Sequence, residues 1–312
     1  MSNTTPEIIV VGSHAPGMLI RVKDIPRAGE TVIGWGFDEP QDGGKGSNQA
    51  IAAAKLGAKV SFVGCVGQDR IGKEGETWMC NAGVDTSWML KLEGISSGIG
   101  FILLNEKGIP AMVTSMGANE KLNKEHIDLA LEQMRGAKVL VTQFEIRPEV
   151  ALYAARIARR NNILSIVNPA PACSIDLESL NVADILVPNE IEAKTLLGYG
   201  LEIPIDVNIL AQDLRKKGKV NCVIITYGEN GVIGVDNSGT WEVRPPQVNA
   251  VDTSGAGDAF CAALAVALSE GKNYREASDW ACKVAAFSVT RFGTIASYPT
   301  KMEMEYFISH DQ

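Results

Sequence analysis

A three-layer αβα fold, a mostly parallel central sheet with helices on both faces, is predicted by two observations. Short β-branched runs recur along the chain with Ala- and Leu-rich stretches of helical length between them, the pattern that builds parallel strands joined by crossover helices. Glycine-rich or polar stretches then follow those runs, at the carboxyl ends of the strands where ligands collect on such sheets. The 312 residues suffice for one large domain or two smaller ones, and a composition 46% apolar and 21% charged is that of an ordinary globular core.

In order, residues 8–11 (Ile-Ile-Val-Val), ended by Gly12, read as a buried parallel strand. Residues 18–22 are a second strand, closed by Pro26 and Gly29. Residues 31–39 carry Gly34, Trp35, Gly36 and Phe37 without helical period, which suits a twisted, partly exposed strand. An Ala-rich helix over 47–56 stops at Gly57, and a strand at 60–63 and a helix at 69–82 follow. Residues 99–104 and 109–114 flank a turn at 105–108 and read as a hairpin. Beyond it, helical patterns at 124–135, 148–160, 190–197 and 207–217 alternate with extended ones at 139–142, 163–167, 185–187 and 220–225. A last helix opens near residue 258 and stops near Gly271. No repeat, low-complexity tract or linker interrupts this order.

Composition excludes several functions. Twenty-nine basic against 37 acidic residues leave a net charge of -8, which argues against a general polyanion or nucleic-acid binder while permitting a local basic pocket. The six cysteines, at 65, 80, 173, 222, 261 and 282, form no Cys-x-x-Cys pair, and three scattered histidines make no metal site. Residues 1–7 lack a basic region followed by an apolar one, so no secretory leader is expected. No apolar run approaches the ~18 residues of a membrane span, and a cytoplasmic protein with reduced cysteines is the expectation.

The chemistry concentrates in two glycine-rich stretches. Asp252-Thr-Ser-Gly-Ala-Gly-Asp258 leads into the apolar helix, and Gly255 and Gly257 let a ligand approach the backbone where free N–H groups and the helix dipole favour phosphate. A carboxylate at that mouth, Asp258, repels phosphate unless it takes a proton from a hydroxyl attacking it; alone, it is as simply a first-turn acid stabilising its helix. In Gly43-Gly-Lys-Gly-Ser-Asn48, Lys45 can neutralise phosphate and Asn48 can bond a hydroxyl, although a flexible loop with a solvated lysine explains it equally. The order of residues is not that of a Walker A loop. Glu145 follows the strand at 139–142, Asn168 follows the next one, and Asn189 and Glu192 lie three apart at a helix start, where capping is the plain alternative.

Together, Asp-Thr-x-Gly-Ala-Gly-Asp followed by Ala-Phe-x-Ala-Ala, and Gly-Gly-Lys-Gly-x-Asn about 200 residues earlier, resemble the two signatures of the ribokinase-like (PfkB) sugar and nucleoside kinases, nearest the ribokinase and deoxyribokinase branch. The resemblance implies a core of residues 1–14, 40–97 and 115–312, and a β-sheet lid over the sugar from 15–39 and 98–114. It implies Asp258 as base, Lys45 and the backbone of Gly255, Ala256 and Gly257 around the transferring phosphoryl group, and Gly44, Lys45, Asn48, Glu145 and Asp258 at the substrate. Asn189, Glu192, Thr226, Gly228 and Cys282 would meet the nucleotide, with Glu192 holding Mg²⁺ through water. Asp252, Ser254 and Ser297 would bind a monovalent cation, K⁺. ATP, Mg²⁺, a sugar-like substrate and a homodimer joined through the lid complete the expectation.

One departure bears on the substrate. Ribokinases follow the first strand with Gly-Ser-x-Asn-x-Asp, whose Asn and Asp bind ribose hydroxyls; here Gly12-Ser-His-Ala-Pro-Gly17 puts Ala15 and Gly17 there. Loss of such acceptors can cost orders of magnitude in specificity, so a sugar or derivative other than plain ribose is expected. His14 and Arg21 are the replacements expected at the substrate: His14 can donate to a substrate oxygen or pack under the lid, and a cation at Arg21 facing the pocket would suit an anionic substrate, with a solvent-facing strand arginine as the plain alternative. A nucleoside kinase and a catalytically silent sugar-binding sensor are the alternatives.

Overall fold

The computed structural model describes residues 5–39 and 42–310. The N-terminal reading falls partly on residues 1–4 and one expected core boundary falls on residue 40; both lie outside the described residues. Strands β1 (Ile8–Val11), β2 (Gly17–Val22) and β3 (Trp35–Asp38) precede helix α1 (Gly44–Lys55), after which β4 (Val60–Gly67), α2 (Arg70–Asn81) and β5 (Asp85–Leu92) follow. A hairpin, β6 (Ile99–Asn105) and β7 (Pro110–Ser115), leads to α3 (Lys124–Gln133), β8 (Val139–Gln143), α4 (Pro148–Arg160), β9 (Leu164–Asn168) and β10 (Ile185–Leu186). Then come α5 (Glu190–Leu197), α6 (Val207–Gly218), β11 (Cys222–Thr226), β12 (Val232–Asp236) and β13 (Gly239–Val243), and last α7 (Ala256–Ser269), α8 (Tyr274–Ser288) and α9 (Lys301–His310).

Among the described residues nine strands form the main sheet in the order β13-β12-β11-β10-β9-β8-β1-β4-β5, parallel from β11 to β5 with an antiparallel pair at the far edge. Both faces are covered, which is why the central strands read as unbroken β-branched runs rather than alternating ones. Ile8 and Val10 pack into a core shared with α1, α7 and α8; Ile9 and Val11 turn to the opposite core, shared with α3, α4 and α6. Each such fully buried side chain contributes about 1.5–3 kcal/mol, so a one-residue slip of register would forfeit both cores. A second sheet, ordered β3-β2-β6-β7, stands apart and is mixed: β2 runs parallel to β6, while β3 and β7 are antiparallel.

Several elements gave no clear pattern in the sequence. Along β5 only Met89 is buried, because the strand closes one edge of the sheet and its other residues alternate between exposed and half-buried. The hairpin β12–β13 turns at Asn237 and Ser238 into Gly239, whose φ of 129° suits glycine. Helix α8 begins at a capping box in which Asn273 and Glu276 satisfy each other's backbone N–H groups.

Candidate active site

The main sheet reverses its direction of growth at β1, which pairs with β4 on one side and β8 on the other. Loops leaving neighbouring strands there diverge to opposite faces and open a crevice at their carboxyl ends. Into that crevice run the segment after β1, the segment after β8, and the starts of α1 and α7.

The start of α1 is tied down by side chains from distant parts of the chain. Glu145, just past β8, accepts hydrogen bonds at Oε2 from Ser13 Oγ (2.6 Å) and from the Lys45 backbone N–H (2.9 Å). Asn48 accepts from the Gly43 N–H at Oδ1 (2.9 Å) and donates from Nδ2 to Asp42 Oδ1 (2.7 Å) and Asp258 Oδ2 (3.2 Å). Gly44 has φ 75°, and a side chain on Gly46 would collide with the Ser13 backbone, so both must lack a Cβ for the helix to start this close to the strand-end loop.

Asp258 sits in the first turn of α7, 5% exposed, with Gly255 at the N-cap in the left-handed region (φ 73°). Gln49 Nε2 donates to Asp258 Oδ1 (2.9 Å) and lies 3.2 Å from Asn168 Oδ1, and Gln49 Oε1 in turn accepts from Gln143 Nε2 (2.6 Å). The carboxylate is thus fixed by two amides, of which Gln49 is braced by the ends of β8 and β9 and Asn48 by Asp42 and Gly43. Burial pushes the Asp258 carboxyl above the usual aspartate range, against the pull of Lys45 and the Gln49 and Asn48 donors. Burial likewise raises Glu145 and Glu192. At Lys45 burial works downward, but the charges of Asp258, Glu145 and Glu192 outweigh it and hold the ammonium above the ordinary lysine range. The arrangement is a base of raised proton affinity beside a cation that stays charged.

Opposite lies an open helix mouth. A Cβ added to Gly257 would meet nothing within 4 Å, leaving room against the first-turn amides, which have no partners within the helix. The Ala256 N–H is the exception, since it reaches the Thr253 carbonyl (3.3 Å); of the three backbone positions expected to cradle phosphate, it is already engaged. Asn189 and Glu192 form a capping box at α5 (2.7 and 2.8 Å), and Asn189 bridges to Thr226 at the end of β11. Glu192 keeps a second carboxylate oxygen beyond that box, which fits outer contact with a hydrated Mg²⁺. Gly228, with φ 66°, is exposed beside them. Asp252 accepts from the Ser254 and Gly293 N–H groups (2.9 Å each), and buried Ser297 donates to the Thr294 carbonyl (2.8 Å). These loops present carboxylate and carbonyl oxygens, the donor type suited to a hard monovalent cation.

Two expectations are corrected. His14 does not face the crevice: its fully buried ring lies against Ser47 (Nδ1 to Oγ 2.9 Å), the edge of Trp78 and the Cα of Gly75, because the chain turns inward right after β1. Burial lowers its pKa to about 4. Cys282 packs inside the apolar layer of α7 and α8, where burial pushes the thiol up to about 12, so it offers no polar contact to a nucleotide base. Arg21 sits on β2, donating to the Gly36 carbonyl (3.3 Å) across the strand pair. Asn48 spends both amide hydrogens on carboxylates, so it orients Asp258 more than it awaits a substrate.

Sequence reasoning missed Ser13, Gln49 and Asp42, and it missed Tyr298, whose buried hydroxyl stands where a Cβ on Gly255 would come within 2.5 Å. Gln49 directly follows the Gly-Gly-Lys-Gly-Ser-Asn run, and that adjacency was the available signal.

Residues 7–301 match the family model described as pfkB family carbohydrate kinase. The chain is 34% identical to a ribokinase of Haemophilus influenzae, with 97% of this chain and 98% of the relative covered, and 34% identical to a deoxyribokinase of Salmonella typhi, with 97% and 99% covered. A solved ribokinase of Arabidopsis thaliana, complexed with ribose and ATP, superposes with a TM-score of 0.90 at 28% identity over 98% of this chain and 99% of that one. A buried carboxylate held at an open helix mouth, beside a lysine that stays charged, is the equipment of phosphoryl transfer, and with a match spanning nearly the whole length the chain belongs to the pfkB family of carbohydrate kinases.

Proposed function

We propose that the protein transfers the γ-phosphoryl group of ATP to a hydroxyl of a small sugar or sugar derivative other than plain ribose. The observation that carries this reading is the seat of Asp258, buried in the first turn of α7, fixed by Asn48 and Gln49, and within the field of Lys45. As the acceptor oxygen bonds to the γ-phosphorus and the bond to ADP breaks, the hydroxyl proton passes to Asp258. Lys45 and the amides at Gly255 and Gly257 stabilise the charge on the transferring group. A base so placed supplies about 10²- to 10⁴-fold of the rate.

The nucleotide runs along Asn189, Glu192, Thr226 and Gly228. Glu192 would hold Mg²⁺ through water and the loops of Asp252, Ser254 and Ser297 would hold K⁺, the former cation supplying charge neutralisation at the phosphates. The relative solved with ribose and ATP supports ATP as donor. Exclusion of plain ribose rests on Ala15 and Gly17, neither of which offers a polar side chain. The smaller sheet closes over the acceptor as a lid. Its exposed Trp35, Phe37, Phe101, Met112 and Val113 support a homodimer formed through it. No described helix is long and apolar enough to cross a membrane, and the free cysteines support a cytoplasmic setting.

The test is ADP release with Mg²⁺, with and without K⁺, over sugars, sugar acids, sugar phosphates and nucleosides. Turnover of a sugar or sugar derivative well above that of ribose is expected. Ribose as best substrate would remove the exclusion, a nucleoside as best substrate would make this a nucleoside kinase, and sugar binding without ADP release would make it a sensor.

A further inference from the structure

At residues 15 and 17 the loop that enters the small sheet offers no side-chain acceptor, yet an acceptor stands beside it. A Cβ added to Gly17 would come to rest 3.5 Å from Asp42 Oδ2 and 3.4 Å from Ile102 Cδ1, both ordinary contacts. The carboxylate of Asp42 therefore borders the place where an acid on residue 17 would reach. Its two oxygens differ. Oδ1 accepts from Asn48 Nδ2 (2.7 Å) and from the Gly44 N–H (3.1 Å); among the described residues Oδ2 accepts nothing and faces Gly17.

Asn48 Nδ2 also reaches Asp258 Oδ2 (3.2 Å), so one amide bridges the two carboxylates and brings them within the span of a single sugar ring. Asp42 adds to the negative potential that Asp258 and Tyr298 experience. Holding a loop through Oδ1 requires no charge, since an asparagine oxygen would serve. Oδ2 is thus left as an acceptor with no protein donor among the described residues, at the edge of the crevice, and a carboxylate oxygen of this kind suits a hydroxyl donor.

We propose that Asp42 Oδ2 accepts a hydrogen bond from a sugar hydroxyl remote from the one that Asp258 deprotonates, making Asp42 a substrate-specificity residue. The substrate class that follows is a neutral polyol at that end, because a carboxylate or phosphate there would be repelled. This rests on the kinase reading above for the role of Asp258, but not for binding.

The test pairs calorimetric titration of the best sugar in the absence of ATP with steady-state ADP release. Asp42→Asn keeps an oxygen for Gly44 and Asn48 and turns the Oδ2 position from acceptor to donor. It is expected to weaken sugar binding and raise the sugar KM about 10- to 100-fold, with the ATP KM and the thermal midpoint unchanged. The deoxy analogue lacking the contacted hydroxyl should bind wild type as weakly as the parent sugar binds the variant. Gly17→Asp in the Asp42→Asn background restores an acceptor at the same place and should recover binding.

Unchanged sugar affinity in Asp42→Asn overturns the assignment while leaving the kinase standing, as does wild type binding a sugar acid or sugar phosphate more tightly than the neutral sugar. Binding lost in the variant, with no ADP released by wild type, leaves Asp42 assigned and removes the kinase reading. Failure of every sugar to bind wild type removes both.

Discussion

The two glycine loops that meet at Asp258 are built in opposite ways. The loop before α1 is largely buried and held by side chains contributed from as far away as Glu145 and Asp258 itself, so its backbone is fixed before any ligand arrives. The loop before α7 is open: Gly257 has free space over it, and its backbone is set chiefly by the left-handed Gly255 and short turns through Asp252 and Thr253. A polyol acceptor must be oriented to within a bond length and so needs a rigid floor. A phosphoryl group carrying several oxygens is held by whichever amides remain free.

The largest effect is expected where the loops touch. Asp258→Asn keeps the shape and removes the proposed proton acceptor, so turnover should fall about 10³-fold or more while ATP affinity is retained. The raised Asp258 carboxyl also fixes a sign: its ionised form is lost, as pH falls, at a higher pH than for an ordinary aspartate. The acid limb of kcat/KM, which reports the free enzyme, should therefore lie above the usual aspartate range and be absent from the residual activity of the variant. Near-normal turnover in Asp258→Asn would break the comparison outright.

Next comes the open loop. Gly255→Ala puts a Cβ on a residue at φ 73° and drives it to 2.5 Å from Tyr298 Oη and 3.0 Å from the Thr294 side chain. Strain of a few kcal/mol must be relieved by moving the cradle, so kcat/KM should drop about 10²-fold with sugar binding preserved. Equal losses of sugar and nucleotide binding would mean that the two loops move as one.

Gln49→Leu tests the held loop. It deprives Asp258 of its Oδ1 donor and leaves the Gln143 amide and the Asn168 oxygen without their partner. Turnover should fall roughly 10- to 30-fold with both KM values nearly constant, because the base is misaligned rather than lost. A rise in sugar KM alone would make Gln49 a substrate contact instead.

Much of this was legible in the sequence, for physical reasons that also mark the limit. The strands at the centre of the sheet are apolar on both faces, so Ile8–Val11 and Val139–Gln143 announce themselves, whereas β5 has one fully buried residue beside half-buried Trp88, Leu90 and Leu92 and does not. Asp258, Lys45 and Glu145 can be nominated from the sequence because each lies in or beside a motif at a strand end or helix start. Gln49, Ser13 and Asp42 cannot, because their roles arise from contacts such as Gln49 with Asp258, 209 residues apart, which no local pattern encodes. His14 was misjudged because standing next to a motif does not decide which way a side chain turns.

That buried imidazole supplies the smallest prediction, and it concerns the held loop alone. Asp69 and Glu74 pull the His14 pKa up, but burial prevails and sets it at about 4 against an ordinary 6.5. Its charged form is thus disfavoured in the fold: below pH 6.5 the unfolded chain gains a proton that the native state refuses until about pH 4, and stability falls across that window. At pH 5.5 the loss is about 1.4 kcal/mol. His14→Asn, whose amide can replace the contact of Nδ1 with Ser47 Oγ, removes the titrating group. Urea unfolding at pH 7.5 and 5.5 should show wild type losing about 1.4 kcal/mol more than the variant. Equal losses would mean that water reaches the ring, and that the loop before α1 is not closed as the contrast with the loop before α7 requires.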